Sequence, residues 1–467
     1  MQDDKTAAAT QPRAGRHAGA DGPLPMREKI GYGIGDFGFN LYWANISAFL
    51  LIFYTDVMGL AAAAVGTMIL VTKLVDAATD PLMGAIADRT RTRFGRFRPY
   101  LVWGALPLAI TGVLTWTVPD LSEGGKLLWA YATFTLMMLA YTVLSTPYSA
   151  LSGVITADSQ QRTTLISFRF IAAFAGTTLV NWFTLDLVEW LGRGNEPLGW
   201  QLTLGLYGVI AMATFVIVFL TTRERIAPPP QQQTPVKQDI QDLLQNRPWM
   251  VLFALALIIM VTIVMRGGSV VYYLKYYVGR PELTGLFLGT YSLALAAGAA
   301  LTPLLTRFMD KRRLMMWLMV GVGVLSCAMF FVPKDAIAVM FAMNLMIGLM
   351  LGPKSPLAFS MYADCADYTE WKTGRRATAM TFSAATFSQK LGGALASAVI
   401  AWVLAGMGYV ANEAQSDASQ LGIVLLLTVI PGVVALLAAW TMRFYPLDEA
   451  TLSKVQVELQ ARRNADA

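Results

Sequence analysis

Histidine, cysteine and charge are what this 467-residue sequence has least of. It contains one histidine, His17, two cysteines, Cys327 and Cys365, and 14% Asp, Glu, Lys and Arg, where an ordinary soluble chain has about 25%. A lone histidine in a polar tail and two distant cysteines exclude a Cys/His metal centre and a disulfide framework, so both cysteines read as packing residues. No G-x-S-x-G, Walker A or H-E-x-x-H run occurs, which removes the sequence basis for an ATP-driven pump and for the commonest hydrolases. Met1 to Met26 hold no apolar run, so no cleavable signal peptide is expected and the first membrane helix directs insertion. The net charge is +6, but the basic residues form short clusters and not a stripe interleaved with aromatics, so no nucleic-acid partner is expected.

What fills the sequence is apolar: 55% of residues are hydrophobic and the mean hydropathy is +0.51. The apolar blocks have the length of about 20 residues that carries a helix across a ~30 Å hydrocarbon core. Twelve spans are expected, at 33–56, 61–87, 99–118, 127–152, 165–190, 199–221, 249–278, 284–308, 314–332, 336–362, 378–408 and 419–444. The fold class is therefore an all-α membrane protein embedded in the lipid bilayer. An even number puts both termini on one side, and 26 of the 36 Lys and Arg fall there against five at the other face. The positive-inside rule makes the terminal side cytoplasmic.

The longest linker, 222–248, carries Pro228, Pro229, Pro230 and Gln231 to Gln233 and divides the chain. The expected domains are a tail over 1–30, a six-helix bundle over 31–221, the linker, a second six-helix bundle over 249–444 and a tail over 445–467. Asp88-Arg89 after span two and Asp310-Lys311-Arg312-Arg313 after span eight echo each other, as in carriers built from repeated halves around a midplane site. Gly33-Ile34-Gly35-Asp36-Phe37-Gly38 fits G-x-G-x-x-G, but it opens a membrane span instead of following a strand. Its small residues are read as a close helix contact.

The strongest chemical signal is Lys73-Leu74-Val75-Asp76-Ala77-Ala78-Thr79-Asp80-Pro81 in span two. Asp76 and Asp80 share a helix face, and an ionised carboxylate at mid-membrane costs about 2.5–3.5 kcal/mol on insertion scales. A proton, a hard cation such as Na⁺ held by oxygen ligands, or the Lys73 ammonium would each compensate the pair; a permanent Lys73 ion pair would be merely structural. Pro81 is placed to weaken the helix there. Arg169, Arg266, Lys354 and Lys390 also lie in spans. Arg169 and Lys390, deep in apolar segments, read as parts of a polar pathway, whereas Arg266 could kink span seven at Gly267-Gly268 and Lys354 could snorkel. Tyr42, Trp43, Tyr141, Tyr148 and Phe359 could offer flat platforms to a ring or could simply pack.

Together the runs Gly31 to Asp36 and Phe53-Tyr54-Thr55-Asp56-Val57-Met58-Gly59, the segment Asp76 to Pro81, the loop Asp88 to Pro99 and the segment Ala363 to Trp371 resemble the glycoside-pentoside-hexuronide:cation symporters. These form the melibiose-permease branch of the major facilitator superfamily, and the sequence looks closer to the xyloside and glucuronide permeases within it. The resemblance implies a major facilitator fold and symport of a sugar or glycoside with Na⁺ or H⁺ across a bacterial inner membrane, by a monomer that needs no other cofactor and is not an enzyme. It implies cation ligation by Asp76 and Asp80 with Thr142 as a neighbour, and places Arg169, Lys390 and Tyr141 at the sugar and cation sites; the residues themselves add Thr79 to the expected cation site and Asn40, Trp43, Ser145, Tyr148 and Phe359 to the expected substrate site. Lys73 and Lys354 would tune the charge. Asn40 and Ser145 stand where melibiose-type relatives carry aspartates, and Ser149 and Phe359 where they carry tryptophans, so an acidic and a neutral sugar both stay open. The rival functions are a lysolipid or amphiphile carrier on the same fold, an intramembrane enzyme and a non-transporting sensor.

Overall fold

The computed structural model describes residues 24–156, 159–225, 244–373, 378–448, 451–455 and 457–459. His17, the proline- and glutamine-rich part of the linker and the end of the C-terminal tail lie outside them. The described residues are helical, with one isolated bridge between Thr92 and Gly95 as their only β pairing. The helices are α1 (Met26–Ala48), α2 (Ala62–Arg89), α3 (Arg98–Trp103), α4 (Ala105–Thr115), α5 (Glu123–Ile155), α6 (Ser159–Gly192), α7 (Glu196–Thr221) and α8 (Arg247–Tyr272). They are followed by α9 (Thr284–Leu305), α10 (Lys311–Met329), α11 (Ile337–Leu351), α12 (Lys354–Thr373), α13 (Thr378–Gly406), α14 (Asp417–Leu427) and α15 (Val429–Thr441).

Several starts follow from local chemistry. The side chains of Ser122, Asn195, Asn246, Asp310 and Ser416 each accept a backbone N–H three residues on, the N-cap contact that satisfies an otherwise unpaired donor. Ten segments of the described residues are long and apolar enough to cross a membrane, and α1 with its 57° bent continuation to Val57 makes an eleventh. The stretch expected as span three is instead two short helices, α3 and α4, broken at Gly104. A Cβ there would stand 2.6 Å from Leu144 Cδ1, so the close approach of α5 fixes the glycine. Spans ten and twelve are also interrupted, at Gly352–Pro353 and Thr428.

Close packing explains the glycine run of α1. A Cβ would reach 2.9 Å from the Phe168 backbone at Gly33, 2.6 Å from the Tyr148 ring at Gly35 and 2.2 Å from Thr214 Oγ1 at Gly38. This bears out the reading of that run as a helix contact, here with α6, α5 and α7. On the terminal side Glu224, just past α7, accepts the backbone N–H groups of Arg96, Phe97 and Arg98 at 2.8, 2.8 and 3.0 Å. Three successive amides pointing at one carboxylate form an anion nest at the start of α3. Gly95 has φ +112°, and a Cβ there would come within 2.5 Å of the carboxylate. Charge-assisted hydrogen bonds are worth about 1.5–3 kcal/mol, so Glu224→Gln is expected to lower the apparent Tm of the purified protein by several degrees in a thermal-shift assay.

Candidate functional site

The two carboxylates of α2 meet at one point. Asp76, 2% exposed, and Asp80, whose side chain is 30% exposed, both accept hydrogen bonds from the ammonium of Lys390 on α13, that to Asp76 at 3.0 Å. Thr142 Oγ1 on α5 lies 2.6 Å from Asp76 Oδ1 and 3.3 Å from Asp80 Oδ1, sharing its single proton between them. Within this hydrogen-bonded group two carboxylates face one ammonium, and Lys73 stands one helical turn before Asp76. Carboxylate and hydroxyl oxygens are the ligands a hard monovalent cation takes, and the same oxygens can accept a proton.

Two expected members stand differently. Thr79 Oγ1 donates to the Asp76 carbonyl at 2.9 Å, so its proton is spent on the helix backbone. Lys73 is buried with its ammonium over the Trp43 ring, 5.2 Å from the centroid, and among the described residues it joins no ion pair. The direct ion-pair partner of the carboxylates is thus Lys390. An aromatic face holds a cation without a carboxylate in contact. α2 continues past residue 81 to Arg89, with no break at the point expected to weaken.

A second polar cluster lies between α1 and α6, and sequence reading gave only one of its charges a role. Arg169 is clamped side-on by Asp36, Nε to Oδ2 and Nη2 to Oδ1, the latter at 3.3 Å. Its guanidinium sits 4.6 Å from the centroid of Tyr148, and Nη1 reaches Tyr32 Oη at 3.4 Å. Tyr32 and Tyr148 stack at 4.9 Å, and each hydroxyl donates to the other's carbonyl, at 3.1 and 2.7 Å. Tyr148 is therefore a buried floor beneath Arg169 instead of an open platform. Asn40, one turn after Asp36, donates to the Asp36 carbonyl at 2.8 Å and accepts from Thr177 at 3.0 Å. Tyr141 bridges the clusters, 5.2 Å from Phe39 and 6.3 Å from Trp43. Ser145, a turn further along α5, is half-buried and Ser149 exposed.

Other singled-out residues lie apart. Phe359 packs edge-on against Phe170 at 5.8 Å and lines, with Ile166, Phe174, Leu293 and Pro356, an apolar cavity of about 840 Å³ between α6, α9 and α12. Lys354 Nζ contacts Met260 Sδ at 3.8 Å. Arg266 does not kink α8, which runs on to Tyr272. Its guanidinium turns inward to Ser326 Oγ, the Leu427 carbonyl and Asn344 Oδ1 at 3.1–3.2 Å. Cys327 and Cys365 are free thiols.

A hub that the sequence reading left unassigned surrounds Asp56, in the π-helical turn Phe53–Val57 that follows α1. Its carboxylate accepts from Lys275 Nζ at 2.7 Å, from the Tyr276 and Tyr409 hydroxyls and from Thr55 Oγ1 at 2.8 Å, and its carbonyl accepts from Asn412 Nδ2 at 2.7 Å. Nearby, Asn181 Nδ2 donates to Ser292 Oγ at 2.7 Å and Gly285 lies against Trp182. These contacts join helices preceding the linker to helices following it.

Long apolar helices around a few compensated charges, drawn from helices on both sides of the linker, define a membrane transporter. Residues 31–449 match the family described as MFS/sugar transport protein, and the chain belongs to that family. The inner membrane symporter YicJ of Escherichia coli (strain K12) is 40% identical over 438 residues, covering 93% of this chain and 95% of that protein. The isoprimeverose transporter of Lactiplantibacillus pentosus is 34% identical over 445 residues, covering 94% and 92%. The glucuronide carrier protein homolog of Escherichia coli (strain K12) is 30% identical over 455 residues, covering 94% and 96%. The chain is a multi-pass membrane transporter and not an enzyme.

Proposed function

We propose that this protein is a symporter that imports a glycoside of the pentoside, xyloside or hexuronide class together with Na⁺ or H⁺, by alternating access. The observation that carries the reading is the Asp76–Asp80–Thr142 cluster with its two carboxylates on one helix face, closed by Lys390 from across the molecule. Lys390 acts as a tethered stand-in: its ammonium holds the carboxylates when no coupling cation does, and a cation entering the cluster frees it. A ligand that binds one arrangement of the helices better shifts the population toward it, and coupling between two sites is reciprocal. Cation and sugar therefore promote each other's binding. The relatives named as symporter and as isoprimeverose transporter support the substrate class.

The test is uptake of labelled xylosides, glucuronides and galactosides into proteoliposomes with and without a Na⁺ or proton gradient. Uphill accumulation driven by either ion supports the proposal, and uptake indifferent to both gradients overturns it. Counterflow in the same vesicles separates a carrier from a sensor.

In this reading α3 and α4 together make the twelfth span, the two six-helix bundles cover 31–221 and 249–444, and the carrier is a monomer in the bacterial inner membrane with both termini cytoplasmic. The Asp56 hub then closes the periplasmic mouth. Reporter fusions after Arg91, Gln232 and Ala467 are expected to read cytoplasmic and one after Gly194 periplasmic; a cytoplasmic signal at Gly194 would redraw the map.

The apolar cavity beside Phe359 favours a second reading, an amphiphile carrier, because an acyl chain could enter such a cleft from the bilayer. Lysophospholipid flux in the sugar assay decides between them, since a glycoside symporter leaves that flux at the level of empty vesicles.

A further inference from the structure

Asp36 and Arg169 form a pair that nothing in the carrier scheme requires. It lies on the same face of α1 as Asn40 and Trp43, at spacings of four and seven residues that align side chains along a helix. The pair is not sealed: the side chain of Asp36 is 15% and that of Arg169 22% exposed. We infer that Asp36 is a substrate-hydroxyl acceptor that also occupies the Arg169 fork, and so selects uncharged glycosides over hexuronides. This rests on the symporter reading above.

Three features carry it. First, an ionised carboxylate offers about four acceptor positions, and each Asp36 oxygen receives one guanidinium N–H. Lone pairs remain for sugar hydroxyls, which need an acceptor and a donor side by side, as Asp36 and Arg169 provide. Second, the neighbouring polar group on α1, the Asn40 amide, is held in place by the Asp36 carbonyl and by Thr177 and keeps one N–H and one lone pair. Asp36 is then the charged acceptor at this level of α1. Third, planar bidentate geometry is what would draw a uronate to Arg169, and the Nε–Nη2 edge that offers it already carries Asp36. The Tyr148 ring covers a face of the same guanidinium. A substrate carboxylate would have to displace Asp36 and then lie beside it as a like charge, whereas a neutral ring meets no such opposition. Trp43, two turns along α1, supplies an aromatic face for that ring.

The experiment uses methyl β-D-xyloside, methyl β-D-glucoside and methyl β-D-glucuronide, which share ring hydroxyls and differ at carbon five. Counterflow is measured in proteoliposomes for the unmodified protein, Asp36→Asn and Asp36→Glu. The unmodified protein is expected to prefer a neutral glycoside over the glucuronide at least tenfold. Asp36→Asn should raise the KM for the neutral sugar tenfold or more and shrink the preference by a similar factor, because it removes the charge that opposes the uronate. Asp36→Glu, which keeps the charge, should restore the preference, and it carries the test if Asp36→Asn does not assemble. Equal losses for all three sugars with the preference intact would make Asp36 merely structural and overturn the inference, as would an unmodified protein that moves the glucuronide as readily as the others. Movement of no sugar at all would instead remove the symporter reading, and the role of Asp36 with it.

Discussion

Asp76→Asn or Asp80→Asn is expected to abolish cation-driven accumulation while leaving part of the downhill exchange of sugar. The two carboxylates share one ammonium in direct ion pairs, and removing either takes away half of the anionic ligand set that would hold a cation and leaves the other paired with Lys390. Two unit charges about 4 Å apart interact by roughly 4 kcal/mol at an effective dielectric of about 20, and every 1.4 kcal/mol is about tenfold in affinity. Cation affinity should therefore fall by at least two orders of magnitude, read as the loss of Na⁺ or pH dependence of sugar counterflow. Exchange survives in part because the Asp36–Arg169 cluster uses other side chains. If both single variants still concentrate sugar against its gradient, the carboxylates and Lys390 form only a structural ion pair.

Lys390 distinguishes this cluster from a passive cation cage. Among the described residues it is the one hydrogen-bonding side chain at the carboxylates from a helix beyond the linker, and its side chain is 18% exposed. An ammonium with some access to water can leave its partners at less desolvation penalty than a sealed one. On the symport reading, the bridge closes the cluster in the absence of a cation and yields when one competes for the carboxylates.

Much of the membrane architecture was legible because insertion energetics write it directly into composition, and the carboxylate pair stood out because paired charge in an apolar run has to be compensated. The identity of the compensating partner was not legible. Lys73 is three residues from Asp76 and Lys390 more than three hundred, yet tertiary packing brings Lys390 in and turns Lys73 onto Trp43. Asp36 was hidden within a glycine-rich run whose packing role is real, so the run had a sufficient explanation without it. The need for glycine at 104 left no signal in the apolar pattern because it comes from the approach of Leu144, a contact between spans. Thr79 lies between the two carboxylates in the sequence, but a helical threonine commonly donates to a carbonyl of the preceding turn, as it does here.

Asp56 ends an apolar run and so reads as a span boundary, but on the proposed topology its partners make it the point where the periplasmic mouth would open. Lys275 and Tyr276 approach from the π-helical turn Tyr273–Val278 after α8, and Tyr409 and Asn412 from the turn after α13. Asn412 itself has φ +59°, a left-handed conformation that asparagine tolerates better than most residues. It donates its backbone N–H to Tyr276 Oη at 2.9 Å and accepts from Lys275 at 2.8 Å through its side chain. Hydrogen bonds to a charged group contribute about 1.5–3 kcal/mol each, so removing the carboxylate takes several kcal/mol from the state closed on this side, and a few kcal/mol is enough to invert a two-state population. With Cys327 and Cys365 replaced by serine and a reporter at Ser145→Cys, Asp56→Ala should raise the rate of labelling by an impermeant maleimide added from the periplasmic side at least tenfold. Lys275→Gln should raise it by less, because the tyrosine hydroxyls and Thr55 still hold the carboxylate. Accumulation should fall in both variants, since a carrier that cannot close outside leaks its gradient. Labelling unchanged by Asp56→Ala would mean that the small-residue contacts around Trp182 and Ser292 hold the mouth shut by themselves.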